Sequence, residues 1–266
     1  LAEAEKYFED ATRIQLDNAL LTHKTHARLR RLEGEAKLAA NQPQPAQRLF
    51  RSALGHWQNL IERHLGPSGG RLDEGARVDL GLAFSERGRL FYHLGEKDRA
   101  LASFEQAVDV DNESANVYAD VIAFLLTRGH YTAALDAYHR ALGRDSVEEY
   151  YKVYSTLWIV LFARALHLVP DPLALRYLEE LQGSQWQHEL SRYVTGTLGF
   201  AELFAKANTR GKRAEAFFYE ALSSYGRNEP ERARAYLEGV IKTDMLGFFE
   251  YDMARHLLTN GLPPAR

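Results

Sequence analysis

Few residues in this 266-residue chain stand at spacings that chemistry needs. His23 and His26 lie three apart, which on a helix would put two imidazoles on one face, within reach of a shared metal ion. No acidic third ligand stands beside them, and Lys24, Arg28, Arg30 and Arg31 would repel a cation, so no metal is expected. His188 and Glu189 open like a zinc-protease helix, but Arg192 stands where the second histidine should be. Glu148 and Glu149, like Glu179 and Glu180, are adjacent and so point apart on a helix. Solvated faces are expected there, not an acid-base pair. Gly211 and Lys212 adjoin as in a phosphate loop, yet Arg213 follows and Lys206 occupies the place of the earlier glycine. Ser184 follows Gly183 without the flanking glycines of a nucleophile elbow. The chain has no cysteine, which excludes disulfides, thiolate zinc sites and cysteine nucleophiles together. The expectation is a non-catalytic protein with no cofactor.

Arg28, Arg30 and Arg31 form the one basic patch that nucleic acid could use. The net charge of −3 and the absence of interleaved aromatics argue against it. A salt-bridged or partner-facing helix is the expectation, and no nucleic acid is expected as partner. The most apolar run, residues 157–162, is stopped by Arg164 and His167, far short of the ~20 residues a spanning helix needs. The chain begins at Leu1 with no charged segment leading into an apolar one, so a trimmed or processed N-terminus is expected.

Without a catalytic constellation, the information lies in the elements themselves. Ala100, Phe104 and Ala107 set out small, aromatic, small over two helical turns, and Ala134, Tyr138 and Ala141 repeat it 34 residues later, 134 minus 100. Phe84, Gly88 and Gly95 precede the first set where Tyr118, Ile122 and Gly129 precede the second. Gly95 and Gly129 fall where a turn between helices needs a left-handed residue. Ala46, Phe50 and Ala53 restate the signature for a helix pair over residues 26–65, entered through Pro43 and Pro45. Ala4, Phe8 and Ala11 show it again, as though a second helix had lost its partner and kept an exposed apolar face.

Residues 66–70 are the clearest break, a loop inside the stack or a joint between two stacks. Beyond Asp145 the repeat loosens. A helix over residues 147–168 is apolar nearly all round, so it must be enclosed by neighbours or by a second chain. Ala174, Leu178 and Leu181 give a weaker signature, and a helical region over 186–204 has breaks at Gly196 and Gly199. The last clear unit covers residues 213–243. From Ala134 to Ala233 is 99 residues, three short of three periods, so two degraded units should fit between. Phe248, Phe249, Tyr251, Met253, Ala254, Leu257 and Leu258 read as a capping helix.

A 34-residue period with glycine turns and alanine contacts resembles the tetratricopeptide repeat, or TPR. The resemblance implies an all-α solenoid, a right-handed superhelix of antiparallel helix pairs. Residues 1–266 would form one such body, divergent over 1–65, regular over 74–145 and divergent again over 146–266. It also implies a scaffold or adaptor that holds other proteins or peptides in a concave groove. That groove would be lined by Leu82, Ser85, Arg89, Tyr92, Asn116, Ala119, Ala123 and Leu126. Ser85, Arg89 and Asp120 stand where chaperone-binding members carry their carboxylate clamp, so that clamp is absent. Alternatives are a regulatory module cut from a larger enzyme or signalling protein, and a nucleic-acid-binding helical repeat.

The C-terminal two thirds resembles NlpI-type TPR lipoproteins of the bacterial envelope. The likeness rests on Leu157 with Trp158, Gln185 with Trp186, Phe217 to Tyr219, and Gly247 to Glu250. It implies a periplasmic adaptor; without it a cytoplasmic one is expected. It also implies a homodimer through the apolar C-terminal helices, with Phe218, Tyr225, Phe248, Phe249 and Tyr251 as interface.

Overall fold

The structure, a computed structural model, describes residues 2–66 and 72–264, with side chains from residue 21 onward. Thirteen helices and no strand are present among the described residues, the all-α class expected of a helical repeat. They gather into two compact units, Leu1–Asn112 and Glu113–Arg266. The division does not fall in the loop at 66–70, most of which lies outside the described residues, and it separates the two regular repeats expected over 74–145.

The first unit holds α1 (Ala2–Ala39), α2 (Pro43–Leu65), α3 (Glu74–His93) and α4 (Lys97–Val110). Residues 2–14 and 25–39 are parts of one helix, so the first signature does not form a separate second helix. Its side chains, and with them the expected exposed face, lie outside the described residues. Gly34 does not break α1. It is buried where the ring of Phe50 crosses it, and a Cβ there would stand 2.5 Å from Phe50 Cε1.

Gly88 and Phe104 repeat that contact between α3 and α4, with the corresponding distance 2.7 Å. Both glycine and aromatic are displaced by 54 residues, 88 minus 34 and 104 minus 50. The α1–α2 and α3–α4 hairpins therefore close on the same glycine-aromatic lock. Such close packing of backbone against ring leaves no room for a methyl group. Ala46, Ala53, Ala100 and Ala107 complete it, all fully buried.

The second unit holds α5 (Ala115–Thr127), α6 (Tyr131–Leu142), α7 (Glu149–Ala165), α8 (Pro172–Glu180), α9 (Trp186–Val194), α10 (Phe200–Lys206), α11 (Arg210–Gly226), α12 (Pro230–Ile241) and α13 (Phe249–Asn260). α7 is buried on every side from Val153 to Ala163, and the chain itself encloses it: α5, α6, α8, α9 and α11 pack around it. No second chain is needed to cover that apolar surface. The pairs α7–α8 and α9–α10 occupy the space predicted for two degraded repeats, with Gly196 and Gly199 lying between α9 and α10. α12 packs on α11, and α13 packs on both.

One turn recurs through both units. Gly95 has φ of 82° and Gly129 of 79°, and the next residue's N–H reaches back five residues, Glu96 to the Phe91 carbonyl at 2.9 Å and His130 to that of Leu125 at 3.0 Å. Asn41 and Asn228 take the same left-handed role ahead of Gln42 and Glu229. This is the closing bond of a helix C-terminus, and it explains why glycine or asparagine punctuates the repeat. His167 does the same at φ of 56°, a position that residue type alone does not mark.

Candidate functional site

The expected groove residues divide sharply. On α3, Leu82, Arg89 and Tyr92 are half-buried, but Ser85 is 1% exposed. On α5, Asn116 is exposed and accepts a hydrogen bond from the Tyr151 hydroxyl at 2.9 Å. Ala119, Ala123 and Leu126 are buried. The cause is local: α5 is covered by α6, α7 and α13, and its C-terminal turn meets Pro263 and Pro264. Ser85, Ala119, Ala123 and Leu126 are therefore packing residues, and the groove predicted along α5 is filled by the chain's own helices.

The interface residues are drawn inward in the same way. Phe218 is fully buried and Tyr251 nearly so, while Phe249 meets Trp158 edge to face at 5.5 Å. The Phe248 ring lies over Gly211, where a Cβ would stand 2.9 Å from its Cζ. Tyr225 is half-buried. Phe218 and Tyr251 thus belong to the core of the second unit, while Tyr225, Phe248 and Phe249 are half-buried at its edge.

The basic patch on α1 is largely neutralised within its unit. Arg31 donates to Glu86 at 2.8 Å and to Glu35 at 2.6 Å, and Arg30 to Glu33 at 2.8 Å. Lys24 pairs with Asp79, and Arg28 stays exposed. Burial opposes ionisation of Glu35, but hydrogen bonds from His93 and Arg31 override it and hold its carboxyl at about 2. His23 faces His56 across 3.2 Å, and His26 lies beside the same ring. Burial, then Arg63 and His26, push the His23 imidazole below its ordinary value. No cluster of metal-ligating composition occurs among the described residues. Glu148, Glu149, Glu179 and Glu180 are all exposed.

Two polar assemblies in the second unit carry chemistry that the sequence reading did not single out. In the first, α11 and α13 bring Glu215 and Glu250 into the core, 5% and 3% exposed. The Tyr154 hydroxyl donates to Glu215 Oε2 at 3.0 Å and the Trp186 indole N–H to the same oxygen. Trp158 Nε1 and the Tyr219 hydroxyl both donate to Glu250 Oε1 at 2.9 Å. Every one of these donors is uncharged. Burial, then repulsion from Glu250, push the Glu215 carboxyl up to about 8, against the hydrogen bonds of Trp186 and Tyr154. Buried carboxyls without a cationic partner hold their protons in this way.

The second is a cleft of about 740 Å³ where α7, α9, α11 and α12 approach one another. Arg164, Arg227, Arg232 and Glu220 line it, with Tyr193, Leu198 and Phe200 among its walls. α11 reaches α7 through Gly226, where a Cβ would stand 3.3 Å from the Arg164 carbonyl oxygen. Arg227 donates to Glu220 at 2.7 Å, and the Tyr193 hydroxyl donates to the same carboxylate. The sequence carried a signal for both assemblies. Glu215 and Glu220 interrupt residues 214–222, which are otherwise alanine, leucine and aromatic, and Arg164 interrupts an otherwise apolar helix.

Residues 25–148 match the family model of the bacterial transcriptional activator domain, a helical, repeat-like domain. The match takes in the C-terminal part of α1 and all of α2 to α6, a little under half of the chain. It leaves α7 to α13 outside, and with them both polar assemblies. It gives no support to the resemblance to envelope lipoproteins. A search of curated proteins gives no match.

Proposed function

We propose that this chain is a non-catalytic regulatory module of a bacterial transcriptional activator, and that it acts by holding another protein. The observation that carries the reading is the match of residues 25–148 to the activator domain. Repeated helix hairpins suit the task, because each adds a rigid ridge to a surface without needing a catalytic cavity. Protein is favoured over DNA as partner because Arg30, Arg31 and Lys24 already meet carboxylates. A phosphate-binding helix would keep such cations unpaired. The face offered for docking is that of α3, where Leu82, Arg89 and Tyr92 remain half-exposed.

A tethering assay tests the reading. The chain is fused to a heterologous DNA-binding domain with its operator upstream of a bacterial reporter promoter. Transcription should rise several-fold, and the double variant L82A/Y92A should lose most of that rise while keeping its helical circular dichroism. A folded fusion that occupies its operator and leaves the reporter unchanged would overturn the regulatory role. An unfused chain that retards DNA with a steep salt dependence would replace protein by nucleic acid as the partner.

A further inference from the structure

The arginine-lined cleft of the second unit lies outside the residues matched to the activator domain, and the proposed regulatory role makes no use of it. Its charges do not balance. Three guanidinium groups, Arg164, Arg227 and Arg232, line it against the single carboxylate of Glu220. Glu229 also pairs with Arg227 at 3.2 Å and with Arg232 at 3.5 Å. Counting both carboxylates still leaves one cation over, and that cation is Arg164.

Arg164 has no carboxylate within salt-bridge reach among the described residues. It donates Nη1 to the Val194 carbonyl at 2.6 Å. That single bond leaves four of its five N–H donors for something else. Burial lowers the affinity of Arg164 for its proton, the expected strain of a guanidinium without a counter-ion. Arg232 reaches Glu220 at 3.6 Å and Glu229 at 3.5 Å and lies beside Tyr236, but its side chain is 52% exposed, so its guanidinium remains open to a further anion from the cleft.

The walls have a different character. Phe200 meets Tyr193 edge to face at 6.2 Å and Tyr236 at 5.2 Å, giving a fixed aromatic edge, and Leu198 continues the apolar side. A cleft of about 740 Å³ lies within the ordinary range for small-molecule sites. Planar guanidinium forks recognise carboxylate and phosphate oxygens, while an aromatic wall accepts a flat apolar body.

We propose that this cleft binds a small organic anion, a carboxylate or phosphate ester carried on an apolar or aromatic body. The anionic group meets Arg164 and Arg232, and the body lies against Phe200 and Leu198. Glu220, held by Arg227 and Tyr193, fixes the orientation of Arg227 and keeps the cleft from accepting small inorganic anions without discrimination. The inference stands apart from the transcriptional role, since failure here leaves residues 25–148 untouched.

Isothermal titration of the full chain at low salt tests it with four probes: phenyl phosphate, benzoate, inorganic phosphate and benzyl alcohol. Saturable heat is expected from phenyl phosphate or benzoate, with the stronger of the two naming the anionic group. Inorganic phosphate and benzyl alcohol should each bind at least about tenfold more weakly than that probe, because each lacks half of the recognition. Arg232→Ala and Arg164→Gln should each weaken the preferred probe about tenfold or more. Arg232 is exposed enough for its variant to fold normally, so one clean variant is available whatever befalls Arg164→Gln. Absence of heat from both aromatic anions up to about 10 mM would overturn the proposal. So would benzyl alcohol binding as tightly as the anions, or unchanged binding in the folded Arg232→Ala variant.

Discussion

Raising the pH from 6 to 9 should weaken this protein through Glu215, whose carboxyl sits in the core with only neutral donors around it. Burial and then the neighbouring Glu250 push it up to about 8, from 4.5 for an unperturbed glutamate. Between those values the folded chain holds a proton that the unfolded chain has released. Stability from this group is therefore complete below about pH 4.5 and is lost as pH rises through about 8. The slope is about 1.4 kcal/mol per pH unit for one proton, so the interval from pH 6 to pH 8 costs about 2 kcal/mol. For a natural domain that is a large share of the total.

Glu215→Gln isolates the effect. The glutamine carbonyl can accept from Tyr154 and Trp186 as the carboxyl does, and the side chain carries no charge to set against Glu250. Urea unfolding followed by far-ultraviolet circular dichroism, at pH 6, 7, 8 and 9, gives the comparison. The wild-type midpoint should fall more steeply across the series than that of the variant, in which Glu250, itself pushed up by burial, is the one core carboxyl left to ionise. Glu250→Gln should flatten the wild-type decline in part, because Glu215 then ionises without a like charge beside it. Parallel profiles for wild type and Glu215→Gln would refute the reasoning, whatever their absolute stabilities.

Glu35→Gln should show the opposite dependence. Its carboxyl is held at about 2, so its contribution is present above about 4.5 and lost as the pH falls toward 2. The variant should lose about 1 to 2 kcal/mol at pH 7, discounted for partial exposure, and converge on wild type only as the pH approaches about 2 in the same urea assay. Gly88→Ala should cost about 1 to 3 kcal/mol by driving a methyl group into Phe104, whereas Gly55→Ala, with nothing within 4 Å of the new Cβ, should gain up to about 1 kcal/mol from helix propensity. Thermal melts of the two variants check the contrast.

Period and turn chemistry were legible in the residues because they follow from local constraints. The alanines at 100, 107, 134 and 141 mark close helix contacts, and Gly95 and Gly129 mark left-handed turns; the structure places all six in those roles. The register shared by Gly34 with Phe50 and Gly88 with Phe104 was also present, but Gly34 read as a break because glycine within a helix and glycine after one look alike in sequence. The groove was not legible. Whether Leu126 faces a partner or its own chain depends on which later helix lies over α5, and nothing within residues 115–127 encodes the position of α13. The same holds for Phe218, whose aromatic character fits a core and an interface equally well.

The buried polar groups mark the further boundary of that legibility. Glu215 and Glu220 lie on one helix, five residues apart, in a buried stretch that is otherwise alanine, leucine and aromatic. Their surroundings give them opposite characters. Glu220 receives Arg227 at 2.7 Å and has Arg232 nearby, so its charge is matched at the rim of a cleft. Glu215 receives only Tyr154 and Trp186, while Lys212 lies over the Trp186 ring at 5.4 Å and does not pair with it. A helix sequence can show that a carboxyl faces inward. Whether that carboxyl stays charged is settled by guanidinium groups supplied from α12 and the turn before it, and by indoles supplied from α7 and α9. The arginine cleft and the carboxyl pair held by neutral donors are thus two outcomes of one arrangement: acidic residues turned into the second unit's core, with cations reaching only those at its edge.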